Sequence, residues 1–502
     1  MLRRIRIGVS VVLFALISFF FLDFADLLPE SFHWLADIQF VPALLSLSMG
    51  IIVSLIIVSL LFGRIYCSTV CPLGVLQDII ARISKGTGKK KKRYSYSPAR
   101  NVLRWSILGL TVIGFLCGVT LIVGIFDPYS AFGRMMVHIF KPIYMVGNNL
   151  LESVFSRFDN YTFYQVDASI LSVSSLILAL ATFAIIFVLA WKHGRTWCNT
   201  VCPVGTVLGF VSRFSLFKVR IDSSKCNGCG VCATKCKAAC INSKEHEIDY
   251  SRCVNCFDCL EACKQKALVY RAPAAPKTDP SRRRFLFSGL LAAGATPAVL
   301  LRAQETVATL AGKKPYKKKH PITPPHSISL NHFQQQCTSC HLCVSKCPSH
   351  VLKPAFMEYG LQGIMQPTVS FEKGFCNFDC TVCGDVCPNG AILPVSMEEK
   401  HLTQMGYVVF IKENCIVYTD GTSCGACSEH CPTQAMSMVP YENGLTIPHV
   451  NPEICVGCGG CEYVCPARPF RAVYIEGNPV QKKAKPFKES EKQQVEIDDF
   501  GF

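Results

Sequence analysis

The feature that most constrains this chain is a recurring cysteine spacing. Cys226, Cys229, Cys232 and Cys236 form a C-x2-C-x2-C-x3-C run, and Cys253, Cys256, Cys259 and Cys263 form another. The spacing returns at Cys337, Cys340, Cys343 and Cys347, and again at Cys455, Cys458, Cys461 and Cys465, the last cysteine of each followed by proline. Two looser quartets end the same way: Cys376, Cys380, Cys383 and Cys387, and Cys415, Cys424, Cys427 and Cys431. Such a run aims three thiolates from one short loop at one face of a [4Fe–4S] cubane, with a further ligand from elsewhere. Disulfide frameworks belong to short secreted chains, and zinc prefers two separated C-x2-C pairs. About six [4Fe–4S] clusters are therefore expected. In the first two quartets Lys237 and Lys264 stand where proline follows elsewhere, and Cys240 is either a spare thiol or a rival of Cys236.

Hydropathy sets the second constraint. Apolar stretches at 7–23, 41–62, 103–126 and 170–190 each approach the ~20 residues that cross a bilayer. The first is read as a retained anchor, because no small-residue cleavage site follows it. Basic groups at Arg3, Arg4 and Arg6, at Lys85 and Lys89 to Arg93, and at Lys192 to Arg195 fall on one side if the spans alternate, which marks that side as cytoplasmic. The net charge of +16 is thus a topology signal, and no nucleic-acid partner is expected. The loop 127–169 is then external; Asp127 and His138 are its proton acceptors for a quinol site, against the plainer reading of an interfacial histidine.

An internal repeat follows the second and fourth stretches. Gly63-Arg64-Ile65-Tyr66-Cys67-Ser68-Thr69-Val70-Cys71-Pro72 returns as Gly194-Arg195-Thr196-Trp197-Cys198-Asn199-Thr200-Val201-Cys202-Pro203. Cysteines four apart share a helix face. Cys67, Cys71, Cys198 and Cys202 are therefore the expected catalytic group, either as a metal site or as a dithiol relay; the bland alternative is small buried residues at helix ends. Arg64 and Arg195 would favour thiolates. Cys117 reads as packing.

These signals divide the chain into a helical membrane domain (1–220), a two-cluster domain (221–270), a linker (271–329), a four-cluster domain (330–480) and a charged tail (481–502). The fold class is multi-domain: a polytopic α-helical membrane domain of four spans plus a short fifth segment, with α+β ferredoxin-like domains. The linker carries Ser281-Arg282-Arg283-Arg284-Phe285-Leu286, a twin-arginine export signature that would place the last domain outside the cytoplasm. Arg302 and the lysines between 313 and 319 argue for the cytoplasmic alternative.

Residues 1–270 resemble NapH-type membrane quinol dehydrogenase subunits, and are similar to NosR-type regulators and CcoG-type copper reductases in the same core. Residues 281–475 look like a NapG-type ferredoxin, so the whole resembles the two fused. The resemblance implies an oxidoreductase subunit of the bacterial inner membrane that takes electrons from quinol and delivers them to a periplasmic reductase or cytochrome. It also implies nested cluster pairing, Cys337, Cys340 and Cys343 with Cys465, and Cys376, Cys380 and Cys383 with Cys431. Two rival functions are a copper reductase or maturation factor using the C-x3-C-P thiols, and a redox-sensing regulator.

Overall fold

The computed structural model describes residues 1–23, 27–86, 94–158, 162–166, 172–272 and 315–486. The basic run Lys89 to Arg93, the twin-arginine segment and the end of the charged tail lie outside the described residues.

The N-terminal half is a helical bundle. Helix α1 spans Leu2–Leu22, with Arg3, Arg4 and Arg6 in its first turns and a mainly apolar run from Ile7 onward. The second apolar stretch forms two helices, α2 (Phe40–Leu45) and α3 (Met49–Phe62), where one continuous span was expected. The break falls at Leu47, held at φ 54°. The third stretch is likewise divided into α5 (Asn101–Leu116) and α6 (Thr120–Phe126), with Gly118 at φ 74° between them. Between these pairs lies α4 (Pro72–Gly86). Then come α7 (Pro128–Met135), a π-helical turn at Met136–Phe140, α8 (Lys141–Phe155), α9 (Val173–His193) and α10 (Pro203–Ser212). Among the described residues two helices, α1 and α9, are long and apolar enough to cross a membrane, not the four expected.

Small antiparallel sheets of two strands and short helices make up both cysteine-rich modules. In the first, Lys218–Ile221 pairs with Leu268–Arg271 and closes the module around two short helices, Val231–Lys235 and Asp258–Ala262. In the second, Leu352–Pro354 pairs with Pro367–Val369, Met436–Pro440 with Thr446–Val450, and Thr403–Phe410 with Val473–Lys483. The short helix of each triplet begins two residues after its second cysteine and carries the third, and a left-handed residue just before it, such as Phe257, His341 or Gly459, wraps the thiols inward.

The two modules meet opposite ends of the bundle. At the start of α1, Arg3 pairs with Asp258 at 2.8 Å and Arg6 donates to the Cys256 carbonyl at 3.5 Å. At its far end, the Phe21 carbonyl accepts from Ser345 Oγ at 2.8 Å, and Asp23 pairs with Lys346 at 2.9 Å. The other helices repeat the pattern. Arg104 at the start of α5 donates to Ser251 Oγ at 3.0 Å, whereas Thr120 of α6 donates to the Gln334 carbonyl at 2.8 Å. Ser175 at the start of α9 contacts Met365 Sδ at 3.5 Å, and just past its end Arg195 N–H donates to the Lys237 carbonyl at 3.0 Å.

Two glycines permit the second contact. A Cβ on Gly124 would lie 2.5 Å from the Thr338 carbonyl, and one on Gly133 would lie 2.6 Å from the Cys340 carbonyl and 2.8 Å from the Phe21 ring. Backbone cannot yield as a side-chain tip does. Gly133→Ala should therefore cost about 1–3 kcal/mol at this contact, read as faster amide exchange over residues 337–346 with exchange over 226–263 unchanged.

Candidate metal centres

Within the second module the thiols gather into four sets. Cys343 lies within electrostatic reach of Cys337, Cys340 and Cys387, and Cys337 of Cys340 and Cys387. Cys376 is beside Cys347 and Cys380, and Cys383 beside all three. Cys427 faces Cys415, Cys424 and Cys465; Cys461 faces Cys455, Cys458 and Cys431. The pairing is sequential, first triplet with the next quartet's last cysteine, and the nested pairing is corrected. Cys465 is not with the first triplet, nor Cys431 with the second. The cause is local: the helix Leu342–Lys346 packs on Val382–Asp385, and Ala426–Glu429 packs on Gly460–Val464, so each neighbouring pair exchanges its fourth thiol.

The donor sets fit an iron–sulfur core. Cys415, Cys424, Cys427 and Cys465 line one cavity together with Phe410, Ile416 and Val473. The eight-residue opening of that quartet is taken up by a short helix, Ile416–Thr419, which returns Cys424 to Cys415. Burial pushes the Cys427 thiol up to about 12, and the Cys340 thiol likewise to about 12. Such thiols stay protonated until a cation takes the proton's place. Among the described residues no three His, Cys, Asp or Glu side chains converge closely enough to hold a single metal ion.

In the first module Cys259 faces Cys256, Cys253 and Cys236. Cys226, Cys229 and Cys232 form the other triplet, and Cys263 packs on the same core as Cys232. Cys240 is no remote spare: its Sγ lies 3.5 Å from Cys236 Sγ and it also bonds Cys253.

The C-x3-C-P cysteines converge in the bundle interior. Cys67, Cys71, Cys198 and Cys202 are all buried, and Cys202 lies within electrostatic reach of the other three. Asp127 caps α7, accepting from Ser130 N–H and Oγ at 2.7 Å each. His138 Nε2 meets His341 Nδ1 at 2.7 Å, and His341 Nε2 meets the Met365 carbonyl at 2.7 Å. The carbonyl can only accept, so His341 donates there and accepts from His138.

Sequence reasoning passed over Asp78. It lies buried at the junction of bundle and first module, bound to Arg6 at 2.7 Å, Arg195 at 2.7 Å and Lys237 at 3.3 Å. Its signal was a lone acid in the otherwise apolar face of α4.

Quartets with exchanged fourth thiols and two-stranded sheets define a ferredoxin-type iron–sulfur protein. The description "4Fe-4S binding domain" matches residues 44–91 and 175–222, and "4Fe-4S dicluster domain" matches 422–468. The chain is 32% identical over 200 residues to the ferredoxin-type protein NapG of Escherichia coli, covering 38% of this chain and 83% of that protein. It is 32% identical over 202 residues to the methylamine utilization ferredoxin-type protein MauM of Methylorubrum extorquens, covering 38% and 87%. To the ferredoxin-type protein NapF of Escherichia coli it is 28% identical over 162 residues, covering 32% and 90%. No solved structure matches. The chain belongs to the family of ferredoxin-type iron–sulfur electron-transfer proteins that includes NapG and MauM.

Proposed function

We propose that this protein is a membrane-bound quinol dehydrogenase subunit that takes electrons from quinol and passes them to an acceptor on the periplasmic side. The observation that carries the reading is the placement of two cysteine-rich modules at opposite ends of a bundle with an apolar exterior. Val53, Ile57, Leu110, Ile113, Ile177 and Val188 are among the exposed apolar residues of α3, α5 and α9. An exposed apolar surface of this kind marks a membrane or partner site. α1 is 21 residues long, about 31 Å at ~1.5 Å per residue, close to the ~30 Å of a hydrocarbon core. With the bundle in a bilayer, the modules lie on opposite faces, which accords with the export signature, though not with the basic residues at Arg302 and between 313 and 319.

The six conventional quartets are the ligand sets on this reading, with Cys236 as the fourth ligand beside Cys253, Cys256 and Cys259. Bound clusters supply one-electron carriers. The chain's own residues supply insulation, positioning and proton acceptance. Quinol oxidation releases two protons with its two electrons, so an acceptor is needed near the bilayer edge. Asp127 sits just past α6, with Oδ1 unbonded and its carboxyl pushed up by burial against the pull of Ser130. His138, one helix further on, is the second group. Both lie against the Cys340 loop of the second module.

The test uses the full chain in vesicles with a water-soluble quinol analogue. Quinol should reduce the clusters, and Asp127→Asn should slow that reduction about 100-fold while leaving the fold intact, because asparagine also caps helices. Clusters reducible by dithionite but never by quinol would overturn the reading.

A further inference from the structure

The first turns of α1 and the last turns of α4 frame a basic cavity where the bundle meets the first module. On α1, Arg3, Ile7 and Val11 recur every four residues and so share one stripe. On α4, Val75, Ile79 and Ile83 do the same, with Arg82 beside them. The two stripes line a groove of about 130 Å³. Away from the helix ends this groove is apolar and open to the outside, with Val11 55% and Ile83 54% exposed. At its head lies a cavity of about 290 Å³, whose wall adds Lys85 of α4 with Lys235 and Lys237 of the first module. Arg82 and Lys237 line both spaces.

The charges of the cavity are uneven. Its two acids are already engaged: Arg3 pairs with Asp258 at 2.8 Å and with Glu261, and Lys237 pairs with Asp258 at 3.0 Å. Arg82, Lys85 and Lys235 form no ion pair among the described residues. Lys85 sits over the Tyr94 ring at 4.3 Å, within electrostatic reach of Lys235 and Lys237 as well as of Asp258 and Cys256. Arg82 and Lys235 are exposed and Lys85 half-buried, so water satisfies them and none needs an anion for stability. The feature that points to a ligand is the combination, three cations converging at the head of an apolar groove. A free anion would use the cations and leave the groove empty. An uncharged apolar molecule would use only the groove. An amphiphile with a negative head uses both.

We propose that this is a binding site for one anionic phospholipid, such as phosphatidylglycerol, with its phosphate among Arg82, Lys85 and Lys235 and an acyl chain along the α1–α4 groove. The site rests on the membrane-bound reading above, in which this end of the bundle lies at the cytoplasmic edge of the bilayer. Lys and Arg beside a membrane-spanning helix draw anionic headgroups. Phosphatidylcholine carries the same phosphate with its charge cancelled by choline, so it lacks that attraction. The position gives the lipid a role in assembly. Its head would touch α4 and the first module together, and its chain would fill the seam between α1 and α4, which braces the junction that Asp78 holds from inside.

The experiment uses the full chain in phosphatidylcholine vesicles that carry a trace of phosphatidylglycerol with a photoreactive diazirine on one acyl chain. The matching phosphatidylcholine probe is the comparison. After irradiation, adducts should map to residues 7–11 and 75–83, with phosphatidylglycerol favoured there about 100-fold, as three membrane-surface cations would give. Arg82→Gln/Lys235→Gln alters two exposed side chains outside the ion pairs. It should lower that preference about 30-fold and leave amide exchange over residues 236–258 unchanged in phosphatidylcholine alone. The wild-type map needs no variant, so the site stays testable if the double variant fails to fold. Equal adducts from the two probes in the groove would overturn the site, as would a preference that the double variant keeps. Loss of the adducts on adding millimolar inorganic phosphate would assign the cations to a free anion and overturn the lipid. Adducts from neither probe anywhere on α1 or α9 would overturn the membrane reading and the site together, an outcome distinct from equal labelling.

Discussion

Asp78→Asn is expected to destabilise the junction of bundle and first module by about 3–5 kcal/mol, the cost of removing one partner from a buried ion pair. Asp78 is the meeting point of Arg6, Arg195 and Lys237, and all four side chains are nearly or wholly buried. Asparagine keeps the shape but leaves Arg6 and Arg195 without their carboxylate, while Lys237 keeps only Asp258, at 3.0 Å. Whole domains are stable by only about 5–15 kcal/mol, so the loss should be visible as a lower denaturation midpoint and faster exchange over residues 236–258. The pH dependence has a definite sign. Burial pushes the Asp78 carboxyl up, but Arg195, Lys237 and Arg6 outweigh it and hold it well below the usual carboxylate range. A depressed carboxylate contributes its stability above its unfolded pKa of about 3.9 and loses it as pH falls through the folded value. The gap between wild type and variant should be constant from neutral pH down to about pH 4 and shrink only below it. A gap under about 1 kcal/mol at neutral pH is what a solvated pair would give, and would remove Asp78 from its structural role.

The second large effect tests the sequential pairing. Cys387→Ser should abolish the same EPR component as Cys337→Ser, because Cys387 lies beside Cys337, Cys340 and Cys343. Cys465→Ser should abolish a different one, shared with Cys427→Ser. Each variant should lose up to about four irons per chain. The consequences differ in place. Cys340 sits directly against Gly133 of the bundle, so loss of the first set should also loosen docking of the second module. Loss of the set around Cys415, Cys424, Cys427 and Cys465 should leave docking unchanged. If Cys465→Ser erased the Cys337 component, nested pairing would be restored.

Much of this was legible because thiolate chemistry imposes strict spacing. The cysteine runs, the Gly63-to-Pro72 repeat and the separation of two modules from an apolar half are all plain in the sequence. The pairing was not, since nested and sequential exchange use identical spacings. The choice is made by which short helices pack, Leu342–Lys346 on Val382–Asp385, and hydropathy carries no trace of it. The broken helices were half visible. Gly118 interrupts the third apolar stretch and favours a left-handed turn, whereas Leu47 breaks the second with a residue that disfavours one. Hydropathy averages over such a break, so both stretches looked continuous. The docking residues were invisible for another reason. His341, Ser345 and Lys346 occupy the x positions of a cysteine motif, where any residue satisfies the spacing and tertiary contact alone gives them a role.

Helix α1 is held by both ends, by Arg3 and Arg6 to one module and by Phe21 and Asp23 to the other. An ordinary anchor tolerates a few extra residues by tilting. This one is a strut of fixed gauge. One added turn would shift an end by about 5.4 Å, so either the Asp258 pair or the Lys346 pair would have to let go. The separation of the two cysteine-rich lobes is thereby written into the protein's own framework, and on the membrane-bound reading proposed above lipids of different thickness would have to adapt to it.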